Sequence, residues 1–322
     1  MVSEKKMLNK MNTFIKKAGT NVSLIIALAA MALLFSILSP HFFSIRNILN
    51  IATYTSINAI MSFGITVAMI LAAMDLSQYT VAAVSGMIVG LLLNAGCPVG
   101  VAILVAIVAG CALGAINGLI VSKFGVNAII ATLGTQQVYR GIAYLVSDGK
   151  NITINNEFLA FIGRGRVCGI PVVFMLMIVT YFITVYVLKY TGFGRKVYAI
   201  GGNKNASYLS GINIERIQLG GFIYCSAAGA IGGILLASQV GVAMPTAGIG
   251  SEMDIIAAVV LGGVSLSGGA GKVSGTLLGA LVLQTISNGM TLLSVQSYWQ
   301  MVIKGLVLIL AVLLDVIRSK KK

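Results

Sequence analysis

The sequence is poor in charged residues, and above all in acidic ones. Charged side chains make up 9% of its 322 residues, with 8 Asp and Glu against 22 Lys and Arg, whereas apolar residues make up 58%. The mean hydropathy of +0.98 lies well outside the range of soluble proteins. A soluble globular domain is therefore excluded, and the composition indicates an all-α polytopic membrane protein.

Residues that bind metals are scarce as well. The chain has a single histidine, His41, and four cysteines. The cysteines are Cys97, Cys111, Cys168 and Cys225, and they show neither a CxxC pair nor another metal-ligand spacing. We expect no metal site and no cofactor bound by this chain. Cys97 and Cys168 are expected to be unpaired thiols, although both are predicted on the outer side of the membrane.

Motifs for catalysis and nucleotide binding are also missing. The glycine-rich run LSGGAGKV over 266–273 lacks the first glycine and the final Ser or Thr of a phosphate-binding loop, and no strand precedes it. Neither HExxH nor GxSxG occurs. A membrane-embedded enzyme is therefore disfavoured, and any ATP energy has to come from another subunit.

Apolar runs bounded by polar, glycine or proline residues predict about ten membrane spans. The runs cover residues 22–38, 51–73, 77–94, 99–122, 126–146, 169–189, 217–238, 254–266, 272–290 and 297–316. We interpret 22–316 as one transmembrane domain, preceded by a basic cytoplasmic segment over 1–21 and followed by a basic cytoplasmic tail over 317–322. The run 254–266 is too short to cross a bilayer alone.

The distribution of basic residues sets the expected orientation. With the amino terminus inside, sixteen Lys and Arg fall on inner segments and only four on outer ones, at Arg46, Lys150, Arg164 and Arg166. By the positive-inside rule, both termini and the segment 190–216 lie in the cytoplasm. Because the basic residues flank apolar runs instead of forming one face, the net charge of +14 predicts no nucleic-acid partner.

Two longer outer segments, 147–168 and 239–253, are rich in Gly, Asn or small residues and carry some acidic residues. Loops of this kind are candidates for contact with an extracytoplasmic partner. An ordinary solvated outer loop is the alternative for each of them.

The long polar segment 190–216 stands alone within an otherwise apolar chain, and we interpret it as a coupling loop to a water-soluble partner. Gly201, Gly202 and Asn203 predict a turn that ends in a helix N-cap. A two-turn helix is predicted over 204–210, followed by a left-handed Gly211. Its small apolar face would hold Ala206 and Leu209, with Tyr208 as a further candidate, and Ser210 is the last residue of the predicted helix. The alternative is a solvated loop with a nascent helix.

Uncharged polar residues inside the predicted spans are candidates for lining a path, because they can exchange hydrogen bonds with a neutral, hydroxylated solute. They are Asn58, Thr66, Asn117, Asn127, Thr132, Gln136, Gln137, Gln284 and Asn288. For each of them, a hydrogen bond between two helices is the alternative.

Two acidic residues, Asp75 and Asp254, lie at the ends of predicted spans. Ionisable groups at membrane depth are functional candidates, which keeps a proton or sodium route open. Their position near the interfaces favours capping or ion pairing instead. Arg140 and Lys304 are the candidate partners of such carboxylates, or they extend outward to the membrane surface.

A weak internal repeat links AMILAAMDLS, which ends at Ser77, with AVVLGGVSLS, which ends at Ser267. Both segments run in the same direction in the predicted topology, and parallel repeats are one way in which transporters are built. Asp75, Ser77 and Ser267 are therefore candidates for a turn or gate. A chance match of small residues is the alternative.

Several longer stretches resemble one known family over nearly the whole chain. They are SPHFFSIRNILNI (39–51), SINAIMSFGITVAMI (56–70), IATLGTQQVYRGIAYL (130–145), TGFGRKVYAIGGNKNASYLSGI (191–212), PTAGIGSEMDIIAAVVLGGVSLSGGAGKVSGTLLGALVL (245–283) and QMVIKGLVLILAVLLD (300–315). The chain is similar to the membrane permease subunit of ribose-type bacterial ABC sugar importers, the group that serves ribose, other pentoses, galactosides and autoinducer-2.

The resemblance implies a subunit of the bacterial inner membrane that works beside a second permease subunit, which is either a second copy or a paralogue. It implies an extracytoplasmic sugar-binding protein and a cytoplasmic ABC ATPase that binds ATP and magnesium. It also implies that Gly201 to Gly211 is the coupling helix in an ATPase groove. One departure is clear: where the family has Asp-Leu-Ser-Val-Gly, this chain has Gln78 and Tyr79 after Ser77.

The leading hypothesis is a permease that translocates a ribose-like monosaccharide by alternating access, without chemistry on the solute. The alternative is an ion-coupled secondary transporter of a small polar solute, with Asp75 or Asp254 as the coupling site.

Overall fold

The structure is a computed structural model that describes residues 20–319. The segment predicted over 1–21 lies almost entirely outside the described residues, as does half of the tail predicted over 317–322. The described chain is predominantly helical, and its only strands are four of two residues each.

Thirteen helices follow one another in the described chain. They are α1 (Thr20–Leu38), α2 (Ile45–Ile70), α3 (Gln78–Asn94), α4 (Val99–Ser122), α5 (Ala128–Leu145), α6 (Glu157–Arg164), α7 (Val172–Tyr190), α8 (Gly192–Gly202), α9 (Lys204–Leu209), α10 (Ile214–Val240), α11 (Glu252–Leu261), α12 (Val273–Leu292) and α13 (Ser297–Ser319). The strands are β1 (Ile152–Thr153), β2 (Arg166–Val167), β3 (Ile170–Pro171) and β4 (Val242–Ala243).

Each of the ten predicted apolar segments overlaps one of these helices. Hydropathy therefore locates the helices along the chain correctly. Within the described residues, five helices are long and apolar enough to cross a membrane, namely α1, α2, α4, α7 and α10. Two more apolar helices, α3 and α13, are shorter by the same measure. The ten-span count stays a prediction. The segment 254–266 forms only the ten-residue helix α11, which stops at Leu261.

Helices α2 and α10 form the centre of the bundle. Buried residues make up 83% of the most apolar window of α2 and 61% of that of α10, against 22% for α4 and α7, which places α2 and α10 inside a ring of more exposed helices. α10 packs most extensively against α4, and also against α3 and α2.

Small residues allow the closest of these helix contacts, as the spacing of glycines predicts. A Cβ atom on Gly114 of α4 would lie 2.6 Å from the carbonyl oxygen of Phe222 and 2.6 Å from the Ser226 side chain of α10. Gly279 of α12 approaches the backbone of Ala258 in α11 in the same way. Larger side chains at these positions would force the helices apart.

The two predicted outer segments are joined to each other. β1 from the first pairs antiparallel with β4 from the second, with Ile152 opposite Ala243. The first segment also folds into helix α6, whose N-cap Asn156 accepts a hydrogen bond from the N–H of Leu159 at 3.1 Å. The two segments thus form one continuous surface, and hydropathy alone does not reveal this pairing.

Candidate functional site

The polar segment 190–216 contains two helices, one more than its sequence predicts. α8 covers Gly192–Gly202. Its N-cap is Thr191, whose hydroxyl accepts a hydrogen bond from the N–H of Gly194 at 3.1 Å. The predicted turn at Gly201 and Gly202 is therefore wrong, because both residues are the last two of α8. The apolar residues Val197 and Ile200 anchor α8, since both are buried in the bundle.

Helix α9 follows at once and matches the prediction closely. Asn203 caps it by accepting a hydrogen bond from the N–H of Ala206 at 2.9 Å. Ser210 follows as the C-cap, and Gly211 then adopts a left-handed φ of 78°. Of its six residues only Ser207 is buried. Leu209 is 84% exposed, so its apolar side chain points away from the bundle and is left uncovered by the described part of the chain.

The end of α8 meets two loops of the bundle at one point. A Cβ on Gly201 would clash with the carbonyl oxygen of Ile70, the last residue of α2. The same carbonyl accepts a hydrogen bond from the N–H of Gly269 at 2.9 Å. Nearby, the hydroxyl of Tyr198 donates to the carbonyl of Gly271 at 2.8 Å. We call Ile70, Gly201 and Gly269 the coupling junction.

The loops that enter this junction are the ones predicted as an internal repeat. Each follows a helix end with a left-handed residue, Ala72 (φ 55°) after α2 and Gly263 (φ 82°) after α11. These two lie 263 − 72 = 191 residues apart, whereas the sequence match pairs Ser77 with Ser267, 190 apart. Because the two registers differ by one residue, the similar helix ends do not test the repeat, which stays a prediction.

Behind the junction lies a fully buried polar cluster. One carboxylate oxygen of Asp75 accepts hydrogen bonds from the N–H of Ser77 at 2.9 Å and from its hydroxyl at 2.7 Å. The Asn117 amide donates to that hydroxyl at 2.8 Å. The Tyr139 hydroxyl lies 3.1 Å from Oδ1 of Asn117. Asp75, Ser77 and Asn117, predicted separately, thus form one network that ties α3 to α4 and α5.

Thr132 extends this cluster to the loop before α3. Its hydroxyl accepts a hydrogen bond from the N–H of Leu76 at 3.2 Å and donates to the carbonyl of Ala128 at 2.8 Å. No N–H or O–H group among the described residues donates to the other carboxylate oxygen of Asp75, and the buried Cys225 thiol is a further neighbour of this carboxyl group. Simple helix capping does not account for this carboxyl group, because it is fully buried and only one of its oxygens accepts hydrogen bonds from N–H or O–H groups. Asp75 therefore stays among the functional candidates.

Gln78 and Tyr79, the two residues that depart from the family pattern, lie in the first turn of α3 and bond to neighbouring helices. The Gln78 amide donates to the carbonyl oxygens of Met61 at 2.8 Å and of Cys225 at 3.0 Å, so it joins α2, α3 and α10. The Tyr79 hydroxyl donates to the side-chain oxygen of Asn58 at 2.9 Å. Both side chains are buried, and both form hydrogen bonds between helices where the family pattern has the apolar pair Val-Gly.

The remaining path candidates divide into two groups. Thr66 and Asn288 join helices: the Thr66 and Thr276 hydroxyls lie 2.7 Å apart, and Asn288 exchanges two hydrogen bonds with Asn47. The others face outward or are half-buried. Asn127 is the exposed N-cap of α5, Gln137 is exposed, Gln136 and Gln284 are half-buried, and the turn candidate Ser267 is exposed.

Two ion pairs occupy the other end of the bundle. Lys304 donates to Asp254 at 2.7 Å, and Arg140 lies 3.6 Å from Glu252 while donating to the carbonyl of Pro245 at 2.6 Å. Lys304 therefore partners one of the two predicted carboxylates, Asp254, whereas the carboxylate beside Arg140 is Glu252 and not Asp75 or Asp254. Beside the first pair, an open cleft of about 400 Å³ lies between α11 and α13.

Sequence reasoning missed Tyr139, Gln78 and the coupling junction. Tyr139 lies in the stretch TQQVYRG, where two glutamines are the more conspicuous polar residues. A signal was available for Gln78, since a glutamine one position into an apolar run is costly unless it is hydrogen-bonded. The junction is made by backbone atoms, for which the only sequence signal is glycine.

Comparisons with known proteins identify the family of this chain. Residues 47–312 match the family described as branched-chain amino acid transport system / permease component. The chain is 42% identical to the ribose import permease protein RbsC of Haemophilus influenzae over 301 residues, which cover 92% of this chain and 93% of that protein. It is 41% identical to the Bacillus subtilis protein of the same name, with 90% and 91% covered. A D-allose transport system permease protein of Escherichia coli is 36% identical, with 99% and 97% covered. No solved structure matches this chain.

Proposed function

This chain belongs to the branched-chain amino acid transport system / permease component family, and from that membership we propose that it is the membrane permease subunit of an ATP-driven importer of a monosaccharide. The observation that carries the proposal is identity of 40% or more, over at least nine tenths of the chain, to proteins named as ribose import permeases. Allose and arabinose permeases are related more distantly, at 36% and 34% identity.

The chain is a transport subunit of the bacterial inner membrane and not an enzyme. ATP is bound and hydrolysed by a separate subunit. We propose that this chain itself binds no cofactor, and that ten spans cross the membrane with both termini in the cytoplasm. The parallel repeat of 68–77 and 258–267 belongs to the same proposal, because both segments lead into loops at the coupling junction.

Helix α9 is the surface that we propose for the ATPase. It is short, capped at both ends and exposed, and its outward residues include Ala206, Tyr208 and Leu209. A small apolar helix face of this kind suits a groove in a partner protein. Movement of α9 would pass through α8 to Gly201, and from there to the loops after α2 and before α12.

The outer surface formed by 147–168 and 239–253 is the proposed contact for the sugar-binding protein. Between the two surfaces, solute would pass beside a second permease subunit, along polar residues that this chain leaves available, such as Gln136, Gln137 and Gln284. Alternating access then consists of movements of the α2 and α11 ends, with the Asp75 cluster holding the start of α3.

The test is reconstitution of the chain with its ATPase and binding protein in proteoliposomes, followed by uptake of labelled ribose, allose and arabinose. We expect uptake of one of them that requires ATP on the cytoplasmic side and persists in the presence of a protonophore. A matched preparation with ATP replaced by a non-hydrolysable analogue is the control.

Uptake that continues without ATP and collapses with the protonophore would contradict the proposal and restore the ion-coupled alternative. Asp75 would then be the residue to replace first, because Asp254 is already paired with Lys304.

A further inference from the structure

A groove of about 510 Å³ opens beside the last turns of α7, at the end of that helix predicted to face the cytoplasm. Its walls come from three elements: the last turns of α7, Tyr198 of α8, and the start of α12. Tyr181 and Val185 form an apolar wall, whereas Lys189 and Lys272 lie at the polar end. The groove is therefore amphipathic along the direction of the membrane normal.

Neither of the two lysines has an acidic partner among the side chains that the structure describes. Both are exposed, and neither forms an ion pair among the described side chains, where the pairs involve Arg140, Lys150 and Lys304. Lys189 instead lies 5.1 Å from the centre of the Tyr190 ring. Two uncompensated positive charges at the mouth of a groove favour an anionic ligand.

The position of the groove identifies the kind of anion. Only 22% of the apolar window of α7 is buried within the described chain, so most of this apolar helix is exposed at the surface of the chain. An apolar surface on a membrane span is suited to contact with lipid. Tyr186 and Tyr190, both more than 60% exposed, lie on it near the level expected for lipid headgroups. A soluble anion would use the lysines but leave the apolar wall bare, whereas a phospholipid covers both.

We propose that this groove is a binding site for an anionic phospholipid of the inner leaflet. The headgroup phosphate lies between Lys189 and Lys272, and one acyl chain lies against Tyr181 and Val185. Basic pockets between helices on the cytoplasmic side are suited to such headgroups. Because Tyr198 lines the groove and donates to Gly271, the lipid would lie directly beside the loop that enters the coupling junction.

The test is titration of the full-length purified protein with dioleoyl phosphatidylglycerol, and separately with dioleoyl phosphatidylcholine and inorganic phosphate, followed by native mass spectrometry. Each lysine near an anionic lipid strengthens binding about fivefold. The double variant K189Q/K272Q is therefore expected to bind phosphatidylglycerol about 25-fold more weakly, with phosphatidylcholine binding unchanged. The matched control is K123Q/K196Q, which removes two exposed lysines that do not line the groove.

A second variant separates lipid from free phosphate. Val185→Trp fills the apolar wall and keeps both lysines, so it should weaken phosphatidylglycerol binding and leave any binding of inorganic phosphate unaltered. Equal phosphatidylglycerol affinity in K189Q/K272Q and the control pair would overturn the proposal. So would full competition by inorganic phosphate, or displacement of the lipid by the partner ATPase. Because the readout is binding, it does not depend on which solute the importer carries.

Discussion

The N–H of Gly269 donates a 2.9 Å hydrogen bond to the carbonyl oxygen of Ile70, and this bond joins the end of α2 to the glycine-rich loop before α12. Gly201 of α8 packs on the same carbonyl with no room for a side chain. Three segments that are far apart in sequence thus meet through backbone atoms alone. Backbone contacts of this kind are stiff, because no flexible side chain absorbs a displacement.

Gly201→Ala tests whether this junction transmits motion. The added methyl would meet the Ile70 carbonyl, which is backbone and cannot move aside without shifting α2. We expect a loss of stability of about 1–3 kcal/mol, and a larger proportional loss of transport than of ATP hydrolysis. The measurements are unfolding in detergent and coupled uptake in proteoliposomes.

Gly202→Ala is the matched control, because a Cβ at Gly202 would meet nothing within 4 Å. In a helical position this change should be neutral or stabilising by about 0.5–1 kcal/mol. Identical transport in the two variants would show that the contact at Gly201 carries no motion.

The sequence predicts α9 correctly but not the role of Gly201 in the coupling junction, and the difference has a physical cause. Asn203 and Gly211 act locally, since a cap and a left-handed residue depend only on the chain within a few positions, so the sequence predicts α9 almost to the residue. Gly201 acts through a contact with Ile70, 131 residues away (201 − 70). The local pattern of two glycines indicates a turn, and tertiary packing instead uses them to end a helix.

The polar interior is predictable in composition but not in connectivity. The sequence identifies Asp75, Ser77, Asn117 and Thr132 as polar residues at membrane depth, and all four are buried in one network. Which of them bond to each other depends on the relative rotation of α3, α4 and α5. That rotation is a property of the tertiary packing of the three helices, and no single-sequence pattern specifies it.

The exposed face of α9 gives the most direct test of the partner surface. Leu209→Asp places a charge where the proposed ATPase groove is apolar, and burial of an unpaired charge is strongly unfavourable. We expect a loss of ATPase co-purification of about tenfold or more, with unchanged stability because Leu209 is 84% exposed. Leu209→Met, which conserves apolar character and volume, is the control and should behave as the native chain. Equal co-purification of both variants would remove α9 from the interface.

We expect the buried polar cluster to stabilise the fold, and Tyr139 tests this because it is buried and lies away from the surfaces proposed for partner proteins. Tyr139→Phe removes a buried hydroxyl that lies 2.8 Å from the carbonyl oxygen of Leu113 and 3.1 Å from Oδ1 of Asn117, so both acceptors lose this donor. The expected loss in the free energy of unfolding is about 1–3 kcal/mol. Tyr144→Phe, at an exposed tyrosine of the same helix, is the control and should lose less than about 0.5 kcal/mol. Equal losses of unfolding free energy in the two variants would mean that the cluster does not stabilise the contact between α4 and α5.

The ion pair between Lys304 and Asp254 can be tested by exchanging the two charges. Both side chains are partly buried, at 27% and 20% exposure, so each single reversal leaves two like charges close together. We expect Lys304→Asp and Asp254→Lys each to destabilise the protein, and the double variant to recover about 1–2 kcal/mol of that loss. Unfolding measured for all four proteins gives the coupling directly. The solvated pair of Lys150 and Asp148, at 79% and 90% exposure, is the control and should show coupling near zero. Additive losses at 304 and 254 would mean that the pair contributes nothing, and that the contact between α11 and α13 depends on apolar packing alone.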